Sequence, residues 1–111
     1  MEANDLLVER ASQATEELVE AMARLVPQLS SSAATPDLAA LEQIATSPGS
    51  SLLVARLASR GGSIVGSLTL VTYQIPTGLH AVIEDVVVEE AARGHGVGAA
   101  LIEEAVWLAR D

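Results

Sequence analysis

Three consecutive valines, a glycine-rich segment and a periodic apolar segment follow one another at the end of the sequence, and together they restrict the fold. The valines are residues 86–88, and three of the five residues at positions 94–98 are glycine. After them, apolar residues recur at helical spacing, at Val97, Leu101, Ala105 and Leu108. This succession predicts a strand, a glycine loop and a helix that begins inside the loop.

Such a loop has the chemistry of a phosphate-binding site. Gly94, Gly96 and Gly98 allow sharp backbone turns and leave no Cβ between the N–H groups and a ligand. A helix N-terminus also carries about half a positive charge. Phosphate groups bind there readily. The alternative interpretation is that these glycines only form a tight turn.

The first half of the chain predicts a strand and two helices. An apolar run over residues 5–10 is typical of a short strand. Thr15 is expected to cap a helix, and Pro27 to kink or shorten its last turn. The apolar stripe of that helix contains Leu18, Met22, Leu25 and Leu29. Thr35 and Pro36 predict the cap and the first residue of a second helix.

The second half predicts three strands before the glycine loop. Residues 52–57 and 64–73 are rich in Val, Leu and Thr and flank Arg60-Gly61-Gly62, which favours a β-hairpin. Gly66 indicates a bulge or a close approach of another backbone. Residues 79–88 form the third strand. The predicted order is βααβββα, in a single α+β domain over residues 1–111 with a three-layer-like arrangement.

Composition excludes several classes of function. The 111 residues include 15 acidic and 6 basic side chains, a net charge of -9, and all six basic residues are arginine. Nucleic acid is therefore not expected as a partner. Without cysteine, and with His80 and His95 lacking ligand spacing, no metal is expected either. The N-terminus is acidic and no apolar run approaches about 18 residues, so no membrane association and a cytoplasmic location are expected.

Two other nucleotide-binding patterns fit less well. Gly94, Gly96 and Ala99 satisfy G-x-G-x-x-G/A, the dinucleotide fingerprint, but that fingerprint belongs to a βαβ unit. It also requires an acidic residue roughly 20 positions further on, and the sequence ends before such a position. A mononucleotide P-loop is excluded because no Gly-Lys-Ser/Thr follows.

Placed after βααβββ, the segment Arg93-Gly94-His95-Gly96-Val97-Gly98 fits R/Q-x-x-G-x-G/A. It resembles the acyl-CoA pyrophosphate loop of the GNAT superfamily of N-acetyltransferases. The element order, Ile64-Val65-Gly66, and Ile83-Glu84-Asp85-Val86-Val87-Val88 are similar to that family as well. The resemblance implies the GNAT acyl-CoA N-acyltransferase fold. It also implies transfer of an acetyl group from acetyl-CoA to a small-molecule amine by direct attack on the thioester.

The resemblance also assigns roles along this segment. The backbone of Val86, Val87 and Val88 would pair with the pantetheine arm, and an N–H near Val87 would stabilise the oxyanion. The N–H groups that would hold the pyrophosphate belong to Gly94, His95, Gly96, Val97, Gly98 and Ala99. Arg93 would add charge or brace the loop. His95 occupies a variable position of the motif and is expected in solvent.

Direct attack needs a neutral amine, so a base must accept the ammonium proton. Glu84 and Asp85 are the candidates and, as neighbours on a strand, are expected to point to opposite faces. Glu84 is predicted to act, through water if not directly. His80 is a second candidate. The alternative for each carboxylate is a solvated or structural role without catalysis.

The sequence departs from the family at its end. The family's fold continues through another strand, another helix and further strands, whereas this sequence stops at Asp111. We therefore expect a fold that is truncated after the loop helix or completed by a second chain. Residues 79–88 are apolar on both sides, and without a neighbour they would form an open edge. A homo-oligomer is expected, and the alternative function is a non-catalytic acyl-CoA-binding or dimerisation module.

Overall fold

A computed structural model describes residues 5–110, which form one antiparallel sheet with helices on both faces. The strands are β1 (Leu6–Arg10), β2 (Ser50–Leu57), β3 (Ser63–Ile75) and β4 (Gly78–Val88), and they lie in the order β1-β2-β3-β4. The helices are α1 (Glu16–Leu29), α2 (Leu38–Thr46) and α3 (Val97–Ala109). Short 3-10 turns follow β2 and β4. The predicted order βααβββα and the α+β class are confirmed.

Helix α1 begins where the sequence predicts. The hydroxyl of Thr15 accepts a hydrogen bond from the Leu18 N–H at 3.1 Å, so it satisfies one of the free amides of the first turn. Pro27 lies in the last turn, yet the helix still extends to Leu29. The proline does not shorten the helix, because the next turn is closed by the Ser30 N–H bonded to the Val26 carbonyl at 2.9 Å.

Helix α2 begins later than predicted. Its cap is Asp37, whose carboxylate accepts a hydrogen bond from the Ala40 N–H at 2.9 Å. The prediction of Thr35 as the cap and Pro36 as the first helical residue is therefore wrong. Both residues precede the helix, since the Asp37 carboxylate fills the capping position two residues further on.

Gly66 lies at a bulge and also at a close contact. The pairing of β2 with β3 shifts between Ala55 and Arg56, so one extra residue of β3 is accommodated beside Gly66. A Cβ at Gly66 would lie 2.9 Å from the Val97 side chain and 3.2 Å from that of Leu101. A Cβ there would also lie 3.2 Å from the Val87 carbonyl oxygen, so both the bulge and the close backbone approach are confirmed. The missing side chain lets α3 pack directly on the sheet.

The sheet separates two apolar cores. One core lies between the sheet and α1 with α2, and the other lies between the sheet and α3. The first contains Leu18, Ala21, Met22, Leu25, Leu41, Leu52, Val54, Ile64 and Val87. The second contains Leu53, Ala55, Leu57, Val65, Leu68, Leu70, Ala92, Val97, Leu101 and Ala105. Strands β2, β3 and β4 therefore present alternate residues to opposite layers.

Strand β4 is the edge of this sheet, and it is irregular. Thr69 pairs with Glu84 and Ser67 pairs with Val87, so Leu68 faces two residues of β4 instead of one. The first of these is Asp85, whose φ of 51° is left-handed, the conformation of a bulge residue. The simple alternation expected for Glu84 and Asp85 therefore does not hold at this point of the strand.

Candidate active site

The glycine loop forms an open cradle at the start of α3. Gly94 and Gly96 have φ values of 89° and 77°, and no atom lies within 4 Å of a Cβ built at either position. Helix α3 begins at Val97 without a side-chain cap, so the N–H groups of residues 96–99 have no partner within the helix. Free amides, open space and the positive end of a helix dipole fit a phosphate group.

The predicted loop residues divide into buried and accessible ones. Val97 is buried against the sheet, and Gly98 lies beside Val88. His95 is exposed, as expected. Arg93 is exposed too, but its Nε donates a hydrogen bond to the Val88 carbonyl at 3.2 Å. Arg93 therefore ties the loop to the end of β4, which is the bracing contact expected of it.

Helix α1 holds the segment between β4 and the loop through two side chains that the sequence did not single out. Arg24 donates from Nη1 to the Glu89 carboxylate at 2.6 Å. The Gln28 side-chain oxygen accepts a hydrogen bond from the Glu90 N–H at 2.8 Å. We call Arg24, Gln28, Glu89 and Glu90 the α1 clamp. Its partners are more than 60 residues apart in sequence, so no local pattern signals them.

The sheet supports the same segment from the other side. The Glu89 N–H donates to the Val65 carbonyl at 2.8 Å, which continues the pairing of β4 with β3 beyond Val88. Arg60, in the turn between β2 and β3, donates to the Ala91 carbonyl. The polypeptide that enters the glycine loop is thus fixed by backbone and side-chain contacts before the first glycine.

One edge of β4 remains available for pairing. Among residues 5–110, β3 is the strand that pairs with β4, and the opposite edge of β4 faces no strand. The Glu89 N–H is directed toward β3, and alternate residues of a strand direct their N–H groups to opposite edges. The Val87 N–H is therefore directed toward β3, and the Val88 N–H faces the open edge. The oxyanion contact was expected from an N–H near Val87, and the N–H in this stretch that faces the open edge is that of the next residue, Val88.

A cavity of about 450 Å³ lies on the α1 and α2 face of the sheet and reaches β4. It is lined by Met22, Val26, Leu29, Ser30, Ala33, Ala34, Pro36, Leu41, Ile44, Leu52, Ser67, Thr69, Asp85 and Val87. We call it the α-side cavity. A second cavity, of about 390 Å³, lies between β1 and α3 beside Trp107. The α-side cavity is the one that meets the strand leading into the glycine loop.

Of the two carboxylates proposed as bases, one lines this cavity and the other lies next to it. Asp85 lines it, whereas Glu84 does not. Glu84 pairs directly with Thr69, a lining residue, and paired residues project from the same face of a sheet. Both carboxylates are exposed. The bulge thus brings both to the neighbourhood of the cavity, which an alternating strand would not do.

His80 lies elsewhere on the hairpin of β3 and β4. Its ring stacks on that of Tyr73, with centroids 5.7 Å apart and planes inclined by 16°. Its Nε2 also lies 3.3 Å from the Thr77 hydroxyl. The structure therefore does not bring His80 to the lining of the α-side cavity.

Membrane-spanning helices and metal-binding clusters are both absent from the described residues. No helix in the described part of the chain is long and apolar enough to cross a membrane. Within residues 5–110, no three His, Asp or Glu side chains are grouped so that they could hold a metal ion.

The family comparison agrees with the geometry. Residues 15–111 match the model of the acetyltransferase (GNAT) family. The chain belongs to this family, whose general function is acyl transfer. No curated protein matches the chain significantly.

Solved structures give the same fold. An acetyltransferase of Trypanosoma brucei is 28% identical, with a TM-score of 0.71, and the match covers 96% of this chain and 75% of that one. An aminoglycoside acetyltransferase from an uncultured soil metagenomic sample is 22% identical, with a TM-score of 0.79 and coverages of 97% and 72%. A ribosomal-protein-alanine N-acetyltransferase of Brucella melitensis is 23% identical, with a TM-score of 0.70 and coverages of 96% and 71%.

Proposed function

We propose that this protein transfers an acetyl group from acetyl-CoA to a small-molecule amine. The observation that carries the proposal is that the glycine cradle and the α-side cavity meet on one short stretch of β4. Val87 lines the cavity, and Val88 is tied to the loop through Arg93. A thioester placed along the open edge of β4 would therefore lie between a phosphate-binding loop and an acceptor pocket.

In this proposal the cofactor is held by backbone groups. The N–H groups of residues 94–99 bind the pyrophosphate, and the edge formed by Val86, Val87 and Val88 pairs with the pantetheine arm as an added strand would. The positive φ of Gly94 and Gly96 and the open space around them support this assignment. The outward N–H of Val88 is suited to stabilise the thioester oxygen as negative charge develops on it.

The protein's main chemical task is to remove a proton from the amine. We retain Glu84 as the proposed base, with a water molecule between the carboxylate and the amine, because it shares a face with Thr69. Asp85 at the cavity wall is suited to hold the incoming ammonium group. Once the proton has left, the amine nitrogen attacks the thioester carbonyl carbon and the C–S bond breaks, while the second proton lost by the nitrogen passes to the departing thiolate to give the free thiol of coenzyme A.

Thiol release from acetyl-CoA in the presence of amines tests the reaction. Glu84→Gln should lower kcat by about 100-fold or more, because general bases typically contribute that much, and should leave the KM for acetyl-CoA unchanged. Glu103→Gln, on the exposed side of α3, is the matched control and should behave as the wild type. Unchanged kcat in Glu84→Gln would exclude this residue as the base.

The open edge favours a second candidate function, a non-catalytic acyl-CoA-binding module. In the described residues, the cleft beside β4 has only the wall that β4 itself provides. Binding of acetyl-CoA without thiol release, for every amine in a broad panel, would support the module and contradict the transferase.

The same edge supports a homo-oligomer closed by β4. Leu79, Val82 and Ile83 are 65%, 37% and 36% exposed on this strand, and exposed apolar edges tend to pair. Light scattering at micromolar protein should give the mass of a dimer. Ile83→Lys should yield monomers, whereas Ile102→Lys, which changes an exposed isoleucine of α3, should not. A wild-type monomer would contradict the proposal.

A cytoplasmic location stays a prediction from the sequence.

A further inference from the structure

The α-side cavity is chemically uneven, and this unevenness bears on which amines it can accept. Ten of its 14 lining residues are apolar, contributed mainly by α1, α2 and the segment that joins them. Asp85 is the only ionisable residue among the lining residues in the described part of the chain. The cavity therefore offers one charge and a predominantly hydrocarbon surface.

Three of the four polar lining residues, Ser67, Thr69 and Asp85, lie at the end of the cavity formed by β3 and β4, and the fourth, Ser30, follows α1. Ser67 and Thr69 flank Leu68, the β3 residue that faces the bulge at Asp85. Both residues line the cavity, and no side-chain hydrogen bond among residues 5–110 uses either hydroxyl, so a ligand can bond to both. An ammonium group would meet Asp85 and these hydroxyls, next to the stretch of β4 where the thioester is proposed to lie.

From this arrangement we propose that the acceptor is a compact apolar monoamine, with its ammonium group at Asp85 and its hydrocarbon part between α1 and α2. The inference rests on the proposed acetyl transfer, because it concerns the acceptor pocket of that reaction. It adds the class of amine that the α-side cavity accepts. Transfer of the hydrocarbon part of the amine from water to the apolar lining residues, among them Met22 and Leu52, is favourable.

The volume limits the size of this body. A volume of about 450 Å³ lies in the lower part of the range of about 300–1,000 Å³ that is typical of small-molecule sites, and it suits a ring with a short aminoalkyl chain. A polyamine or an aminoglycoside would bring further charges against apolar side chains. Burying a charge without a partner is unfavourable, and among the described residues that line the cavity Asp85 is the one charged partner. The net charge of -9 attracts every cation and so does not distinguish among them.

Competition among defined amines tests the inference. With acetyl-CoA saturating, kcat/KM would be measured for phenethylamine, spermidine, sisomicin and a peptide with an N-terminal alanine. We expect phenethylamine to exceed each of the others by about tenfold or more, a difference of roughly 1.4 kcal/mol in transition-state binding. A preference for spermidine, sisomicin or the peptide would overturn the inference while leaving acetyl transfer established.

A pair of alanine substitutions locates the pocket. Ala34 is an exposed residue of the cavity rim, and Ala34→Trp should fill the mouth of the cavity without disturbing the core. We expect kcat/KM for phenethylamine to fall about tenfold, with the KM for acetyl-CoA unchanged. Ala39→Trp, at an exposed position of α2 outside the cavity, should match the wild type. Equal activity of the two variants would overturn the inference.

A binding measurement separates failure of the inference from failure of the transferase proposal. Phenethylamine and spermidine would each be titrated into the protein in the presence of coenzyme A, which carries no acetyl group. Stronger binding of phenethylamine, lost in Ala34→Trp, supports the acceptor class even if no amine is acetylated, in which case transfer is the claim that fails. Weaker binding of phenethylamine than of spermidine overturns the acceptor class by itself.

Discussion

Gly66 shows how a single missing side chain sets the distance between α3 and the sheet. A Cβ there would meet the Val97 side chain at 2.9 Å, closer than real Cβ contacts come, and the Leu101 side chain at 3.2 Å, which is tighter than most of them. We predict that Gly66→Ala lowers the free energy of unfolding by about 1–3 kcal/mol, as overpacking typically does. Urea unfolding measures this. At Gly98 a Cβ would make an ordinary contact of 3.6 Å with Val88, so Gly98→Ala should not be destabilising. Equal effects of the two substitutions would contradict the packing account.

At the same scale, residue chemistry was easier to predict than residue orientation. The glycine loop and Arg93 were identified from a local pattern because a helix N-terminus needs its amides within a few residues. The orientation of Asp85 could not be predicted from a local pattern, because its left-handed φ of 51° depends on how β4 fits against Leu68. Asp is enriched among the non-glycine residues that adopt this conformation, but the sequence does not show which Asp adopts it. Asp37 was missed for a simpler reason, since Thr35 and Pro36 offered an equally valid local signal.

Helix α1 contacts the segment after β4 through the α1 clamp and contacts β2 through Glu17. These contacts lead to two predictions. The first concerns the α1 clamp. Gln28→Ala removes the acceptor of the Glu90 N–H, and a hydrogen bond is worth about 0.5–1.5 kcal/mol. Because this contact fixes the segment before the glycine loop, the KM for acetyl-CoA should rise about two- to tenfold with kcat nearly unchanged. Gln43→Ala, an exposed position on α2, is the control. A fall in kcat without a change in KM would argue against a positioning role.

The second prediction concerns the other end of α1. Arg56 of β2 binds Glu17 at 2.6 Å and Glu9 of β1 at 2.7 Å, so it joins three elements. Its hydrogen bonds to the Glu17 carboxylate hold the pKa of that group below its usual value of 4.5. A lowered pKa in the folded state means that this contribution to stability is present above pH 4.5 and is lost as the pH falls further.

Unfolding measured from pH 6 to pH 3 should therefore show a smaller loss of stability below pH 4.5 in Glu17→Gln than in the wild type. Glu103→Gln, whose carboxylate has no ion-pair partner within residues 5–110, should keep the wild-type acid profile. Identical profiles for all three proteins would show that the contact with Arg56 does not stabilise the fold.

Element identity followed from the sequence, but element contacts did not. Apolar residues at helical spacing predicted the helices, and short runs rich in Val, Leu and Thr between turn residues predicted the strands, so the type of all seven main elements was predicted. The α1 clamp and the Arg56 cluster join residues 39 to 65 positions apart, and nothing local specifies them. The α-side cavity is likewise invisible in the sequence, since it arises where α1, α2 and the β4 bulge meet.

For the whole molecule, the central claim is that the cradle at the start of α3 receives acetyl-CoA. Gly61 and Gly96 are two of the five described glycines that combine a positive φ with free space around them, and of this pair only Gly96 lies at a helix N-terminus next to β4. Gly96 has a φ of 77° and belongs to the cradle, whereas Gly61 has a φ of 68° and lies in the turn between β2 and β3. Alanine at either position meets similar backbone strain, so the pair separates strain from loss of the binding site.

Thermal unfolding with and without acetyl-CoA is the most direct test of this claim. At about 100 times the dissociation constant, a ligand adds roughly 2.7 kcal/mol to the stability of the folded state. In a domain of this size that raises Tm by on the order of ten degrees. We expect this rise for the wild type and for Gly61→Ala, and its loss in Gly96→Ala, where a Cβ would occupy the space proposed for the pyrophosphate. No rise in the wild type, or an undiminished rise in Gly96→Ala, would contradict this claim.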